Sequence, residues 1–446
     1  MRDLWLSLPA TTQDLLLTLA LLLPAGLVGV LTLRGFAAGG LIRAMLIRFR
    51  GANAIFVALI ALSVALGVGL TAQERALRQG SARAADKFDL VIASPGSEIT
   101  LMLAAVYLQP TDVPLLTGAQ FAEVATAPGV ALAAPIGFGD SIMGAPVVGT
   151  TAEFVSHLAG PLAEGRLFAA SSEAVAGAFV PFAVGDSFSP VHGMEADDDA
   201  GAGAGAEHDH DHDHDVTYTI TGRMAPTGSP WDRAVLVPIE DVWEIHGLAN
   251  GHAPEAGARI GPPFDAAYFP GTPAIIVKAQ NLGATYALQS QFSRSDMMAF
   301  FPGTVLAQLH GLMGDIRAAM SLMAGVTQVL VTIAILSGMT ILVRVFARSL
   351  ALLRAIGAPS RFVFAVVWGY AACLIACGAL IGLALGGLAA WGLSAIITAR
   401  TDIALTASLG WSEVHLVAGF VSLTLVLALV PALVAIRRPL VPDLRA

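Results

Sequence analysis

Five stretches of the chain stay apolar for longer than about 18 residues, enough for a helix to cross a hydrocarbon core. They run over residues 15–33, 52–72, 322–343, 363–393 and 414–436. Each predicts a membrane span. Pro24, Gly26 and Gly29 interrupt the first, which predicts a kinked or re-entrant segment there. A cleaved signal peptide is the competing reading of that stretch. Asp3, Asp14 and the length of the apolar run weigh against it.

Between the second and third stretches the pattern changes. Residues 73–312 alternate and break in the manner of a water-exposed α+β domain, long enough for one or two small subdomains. Phe88–Ala93 reads as a strand running into the turn Ser94-Pro95-Gly96. Val216 to Thr221 alternates apolar and polar side chains, as a half-buried strand does. Ala234–Val237 predicts a strand and Ile239–His246 the helix after it. Ile275–Lys278 and Ala284–Phe292 repeat that order.

Composition sharpens this division. Apolar residues make up 56% and charged residues 13%, against roughly 45–50% and 25% in soluble domains. The mean hydropathy is +0.73. A soluble enzyme, a disordered chain and a nucleic-acid binder are excluded. Two cysteines rule out a disulfide framework. Both, Cys373 and Cys377, fall on one face of a span, where helix packing accounts for them.

The net charge of −9 averages two unlike parts. Residues 73–312 carry ten Lys and Arg against 27 Asp and Glu, a net of −17. The remainder carries 14 Arg against six acids, a net of +8. Lysine and arginine collect in short cytoplasmic loops. Arg34, Arg43, Arg48 and Arg50 separate the first two spans, Arg344, Arg348, Arg354 and Arg361 separate the third and fourth, and Arg437, Arg438 and Arg445 follow the fifth. All three regions therefore read as cytoplasmic. Residues 73–312 and the loop Thr398–Glu413 read as extracytoplasmic, and the N-terminus lies outside.

Nine of the outer acids fall in one low-complexity insert, residues 195–215. It ends in Glu207-His208-Asp209-His210-Asp211-His212-Asp213-His214-Asp215. In an extended chain this period of two sets the four imidazoles on one side. Imidazole suits zinc and other first-row divalent ions, and the carboxylates add negative charge. His208, His210, His212 and His214 are candidate metal ligands, with His192 or His246 as a further one. A solvating acidic loop is the alternative. No H-E-x-x-H spacing is present, so a rigid catalytic zinc site is not expected. The sequence also lacks G-x-x-x-x-G-K-[ST] and G-x-S-x-G motifs. The spans hold almost no ionisable groups, which argues against an ion path through them.

One stretch points to a family. Arg344-Val345-Phe346-Ala347-Arg348-Ser349-Leu350-Ala351-Leu352-Leu353-Arg354-Ala355-Ile356-Gly357-Ala358 resembles the cytoplasmic signature of MacB/FtsX-like ABC permeases. Pro431 followed by Ala435-Ile436-Arg437-Arg438-Pro439-Leu440 resembles the ending of that family. In the outer segment, Gly165-Arg166-Leu167-Phe168, Glu173-Ala174-Val175-Ala176-Gly177 and Gly185-Asp186-Ser187-Phe188 resemble its periplasmic motifs. Ile220 to Ala234 resembles a strand-and-turn block of the same proteins. The likeness covers roughly residues 40–446. It departs from the family plan in the extra first span and in the His/Asp insert.

The resemblance implies an α-helical membrane protein with four family-type spans and a large α+β extracytoplasmic domain, to which the apolar pattern adds one N-terminal span. The implied divisions are 1–36, 37–72, 73–312 and 313–446, with a coupling loop at 344–361. It implies a non-enzymatic permease subunit of the bacterial inner membrane. Its partners would be a cytoplasmic ATPase that hydrolyses ATP, a second permease copy and a periplasmic or outer-membrane protein, with no nucleic acid. Arg348, Arg354, Ala355, Ile356, Gly357 and Arg361 fall at the position of ATPase coupling. The function expected is envelope export or extraction linked to zinc handling. The alternatives are a non-transporting regulator of an extracytoplasmic enzyme, such as a peptidoglycan hydrolase, and a metal sensor or importer component.

Overall fold

A computed structural model describes residues 5, 7–109, 112–192, 216–312, 314–401 and 405–437. The chain divides into two compact units. The first comprises Met1–Leu77, Gly314–Ile396 and Thr406–Ala446, the second Arg78–Met313 and Ile397–Leu405.

The first unit opens with helix α1 (Ala10–Leu33). Its 24 residues extend about 36 Å. Pro24 lies inside it without breaking it, so of the kinked and re-entrant readings of this stretch the continuous helix excludes the re-entrant one. A proline removes one bond of the helical ladder, and the flanking turns hold the rest. Helix α2 (Gly39–Arg48) follows, which no apolar window predicts. It buries Ile42 and Met45 and exposes Arg43 and Arg48, the pattern of a helix lying along a membrane surface. Helix α3 (Arg50–Ala85) is 36 residues long, about 54 Å and well beyond a hydrocarbon core of about 30 Å. Its residues from Arg78 onward belong to the second unit.

The second unit contains two sheets. The smaller is antiparallel and joins β1 (Leu90–Ala93), β2 (Val130–Pro135), β11 (Ala274–Ala279) and β12 (Met298–Phe300) in the order β12-β1-β11-β2. The larger contains β3 (Gly137–Ile142), β4 (Ala145–Thr150), β5 (Glu164–Gly165), β6 (Glu173–Ala176), β7 (Ser187–Phe188), β8 (Val191–His192), β9 (Tyr218–Arg223) and β10 (Val235–Pro238). Its order is β5-β9-β6-β10-β4-β3-β8, with β7 also on β9. The strands read from the sequence form, with ends shifted by one to two residues.

Side-chain caps set the helices between them. Ser97 caps α4 (Glu98–Ala105), and Thr117 with Gln120 forms a capping box on α5 (Gly118–Ala125). Thr151 caps α6 (Ala152–Ala159) and Asn281 caps α8 (Leu282–Phe292). Helix α7 (Ile239–Ile245) leaves β10 at Pro238, and α9 (Pro302–Leu312) follows β12.

One core joins the two sheets: Val91 and Ile276 from the smaller, Val148, Val175 and Leu236 from the larger, and Trp231 among them. The Trp231 indole donates to the Val106 carbonyl at 3.2 Å. Its neighbour Asp232 is buried and accepts from the Thr227 amide at 2.8 Å, the Gly228 amide at 2.7 Å and the Thr227 hydroxyl at 2.8 Å. Residues Trp231 and Asp232 thus anchor the segment between β9 and β10 to the core. Arg166 and Glu173, from two family-like motifs, pair at 2.8 Å and close the turn before β6.

The chain returns to the first unit through α10 (Gly314–Val345), α11 (Ala347–Ala355), α12 (Ser360–Thr401), α13 (Trp411–Leu427) and α14 (Leu429–Arg437). Pro431 accounts for the break between α13 and α14, since its ring excludes the hydrogen bond to Leu427. Among the described residues, five segments are long and apolar enough to cross a membrane: Ala10–Leu33, Arg50–Ala85, Ala318–Val345, Ser360–Ala399 and Trp411–Arg437. The protein is therefore a multi-span helical membrane protein with a large α+β extracytoplasmic domain. Helices α3 and α12 meet along a ladder of small residues. Gly378, Gly382 and Gly386 face Ile60, Val64 and Val68, and a Cβ on any of the three would come within 2.8 Å of its neighbour. Small residues every fourth position let membrane helices approach closely.

Candidate functional site

Helix α11 carries Arg348, Arg354 and Ala355, half of the residues expected to couple to an ATPase, and Ile356, Gly357 and Arg361 follow it. It buries Leu350 and Ala351 and turns Arg348 and Leu352 outward. Its end is a Schellman motif. The Gly357 amide donates to Arg354 and the Ala358 amide to Leu353, at 3.1 and 3.0 Å. Gly357 takes φ +103°, open to glycine and strained for other residues. Pro359 then ends the loop. The motif leaves Ile356 at the tip, 79% exposed, with Leu352 beside it at 51%.

The arginines divide. Arg348 and Arg361 are exposed, while Arg354 is half-buried and reaches the Ile436 carbonyl at the end of α14, 3.5 Å away. A cation at a helix C-terminus is favourable, so Arg354 ties the loop to the last helix. Ala355 is exposed beside Ile356. Of this apolar tip, Ile356 was among the residues expected at the coupling position and Leu352 was not. The tip's signal was an isoleucine just before a helix-ending glycine.

Polar groups within the spans are used in packing. The Tyr370 hydroxyl donates to Asn53, whose amide donates to the Leu46 carbonyl at 2.9 Å. Ser394 donates to Gln73 at 3.1 Å. Glu413 is fully buried and pairs with Arg75 at 2.8 Å.

In the second unit, His208, His210, His212 and His214 lie outside the described residues, with the rest of 195–215. His192 is in β8, and its backbone pairs opposite Asp140 of β3. His246 ends α7 with Nε2 3.9 Å from Asp140 Oδ1. Among the described residues no group of three His, Cys, Asp or Glu side chains clusters as a metal site. Asp140 was not singled out from the sequence, because only the packing of β3 near the end of α7 brings it to His246. A fully buried pair lies nearby in sequence. Glu240 accepts from the Gly261 amide at 2.6 Å and sits 3.3 Å from His252 Nε2. Burial pushes the carboxyls of both Glu240 and Asp241 up.

No family model and no curated protein sequence matches the chain. Among solved structures, the periplasmic region of MacB from Actinobacillus actinomycetemcomitans aligns over 51% of this chain and 95% of its own length, at 12% identity and a TM-score of 0.30. A likeness of that degree bears no conclusion about function.

Proposed function

We propose that the chain is the permease subunit of an ABC-type transporter of the bacterial inner membrane. A cytoplasmic ATPase binds the α11 loop, and a second permease copy completes the membrane assembly. ATP is hydrolysed by the partner. Helix movement reshapes the outer unit, which engages a periplasmic or outer-membrane protein during envelope export or extraction. The His/Asp run at 207–215, with His192, links the system to zinc.

The observation that carries this reading is the α11 tip. A short helix in an arginine-rich loop ends in a Schellman motif and presents Ile356 and Leu352 to the outside. An exposed apolar pair rimmed by Arg348 and Arg361 has the anatomy of a protein-binding surface. The pairing of Asn53, Gln73 and Arg75 with partners inside the membrane unit favours mechanical transmission over conduction. That observation also suits the second reading, a regulator that drives an extracytoplasmic enzyme without moving a substrate. Co-purification of an ATPase with the full chain in a lipid environment, and stimulation of its turnover, tests the proposal. A chain that recruits no ATPase would overturn both readings.

A further inference from the structure

Residues 34–50 join α1 to α3. They hold four arginines, Arg34, Arg43, Arg48 and Arg50, and no lysine, aspartate or glutamate. The acids closest in sequence are Asp14, 20 residues before Arg34, and Glu74, 24 residues after Arg50. Along α1 and α3 those separations are about 30 and 36 Å, the thickness of a hydrocarbon core and several Debye lengths. Residues 316–401, which supply α11 and α12, hold no acid either. No carboxylate of these segments therefore neutralises the four guanidiniums, all of which are exposed.

Their placement is fixed by packing within the first unit. Arg34 follows the last residue of α1, and Arg50 is the first residue of α3. Each is the first charge beyond a long apolar run, which sets both at headgroup depth. Between them α2 buries Ile42 and Met45. Gly369 of α12 makes room for Ile42, whose Cδ1 a Cβ there would meet at 2.7 Å. Phe36 meets Phe362 edge-on at 5.9 Å, and Phe49 meets Phe346 at 4.7 Å, so both ends of the connection are held. The Arg48 guanidinium lies 5.8 Å from the centre of the Phe49 ring. At 3.6 residues per turn, Arg43, Ile47 and Arg48 share the side of α2 away from Ile42 and Met45. Ile47 is 62% exposed.

An exposed isoleucine flanked by two guanidiniums, at the ends of two spans, asks for a ligand with an anionic head and an apolar body. A nucleic acid or an acidic protein surface answers the charges and leaves Ile47 unmatched. A phospholipid answers both. Its phosphate accepts from the guanidinium fork, and its acyl region receives the apolar side chain. We propose that Arg34, Arg43, Arg48 and Arg50 bind the headgroups of anionic phospholipids, with Arg43 and Arg48 as the central pair. The inference goes beyond the permease reading and needs no ATPase, so each can fail without the other.

The test uses the full chain in an uncharged detergent. Phosphatidylglycerol is titrated in, and bound lipid is counted by native mass spectrometry. Phosphatidylcholine supplies phosphate and chains without net charge, and inorganic phosphate supplies the anion without chains. Phosphatidylglycerol is expected to bind at least about tenfold more tightly than phosphatidylcholine, and equimolar inorganic phosphate should not displace it. Arg43→Gln with Arg48→Gln should weaken phosphatidylglycerol binding by about tenfold or more, the weight of two arginines at an anionic surface. Arg348→Gln with Arg361→Gln removes the same charge from the α11 loop and should leave that binding within about twofold. If the α2 variant fails to fold, as read by circular dichroism, Arg34→Gln with Arg50→Gln poses the same test. Equal affinity for the two lipids, displacement by inorganic phosphate, or equal losses in the patch and α11 pairs would overturn the proposal. So would a patch variant that keeps its lipid and loses a protein partner.

Discussion

Arg75 of α3 donates to Glu413 of α13 at 2.8 Å, joining two spans that lie 338 residues apart. The two partners are not equally placed. Glu413 is fully buried, while the Arg75 side chain is 25% exposed and also bonds the Ser408 carbonyl. Losing one partner of a buried pair is costly because the other charge is left uncompensated. Removing Arg75 strands a buried carboxylate. Removing the charge of Glu413 leaves an arginine with a second acceptor and access to water. Arg75→Leu should therefore destabilise the protein by roughly 3 kcal/mol and Glu413→Gln by only about 1 kcal/mol. Thermal unfolding in detergent reads the difference. Equal losses, or a larger loss in Glu413→Gln, would contradict the asymmetry.

The glycine ladder between α3 and α12 makes a positional prediction. A Cβ on Gly382 would lie 2.7 Å from the Ala61 carbonyl and from Val64 Cβ, whereas Gly392 on the same helix meets nothing within 4 Å. Gly382→Ala should lower stability by about 1–3 kcal/mol through overpacking. Gly392→Ala should be neutral or raise stability through better helix propensity. Protease resistance or unfolding midpoints of the two variants separate the cases, and similar behaviour would remove the close approach.

Acid should weaken the outer unit through Glu173. The Arg166 guanidinium, aided by the Ala169 and Ala170 amides, holds its carboxyl at about 2, below the ordinary 4.5. A carboxyl depressed in the folded state stabilises fully above its unfolded value and loses that contribution as pH falls through its folded value. The gap in unfolding midpoint between the protein and Glu173→Gln should thus be constant above about pH 4.5 and close as pH approaches about 2. A gap independent of pH across that window would show that the ion pair has no role.

The sequence made some parts of this molecule legible because their signals are local. Apolar run length marks the five spans. The strand β10 with helix α7, and β11 with α8, follow from short periodic runs punctuated by Pro and Asn. Other parts depend on contacts between distant residues. Helix α2 is too short and too mixed for a hydropathy window. Asp140 meets His246 only because β3 packs near the end of α7. Arg354 read as a cytoplasmic-loop arginine at the coupling position, while its reach to Ile436 depends on where α14 ends. Gly378, Gly382 and Gly386 recur every fourth residue, and only their fit against Ile60, Val64 and Val68 gives that spacing a purpose.

The measurement closest to the central proposal is ATPase turnover in a reconstituted complex of the full chain with its cytoplasmic partner. Ile356→Glu puts a charge at the exposed α11 tip without touching the buried side of the helix. The native chain should retain the ATPase and stimulate its turnover. Ile356→Glu should fold normally yet lose retention and stimulation by at least about tenfold, as expected for an apolar anchor at an interface. Turnover in Ile356→Glu equal to that of the native complex would contradict the assignment of α11 as the coupling element.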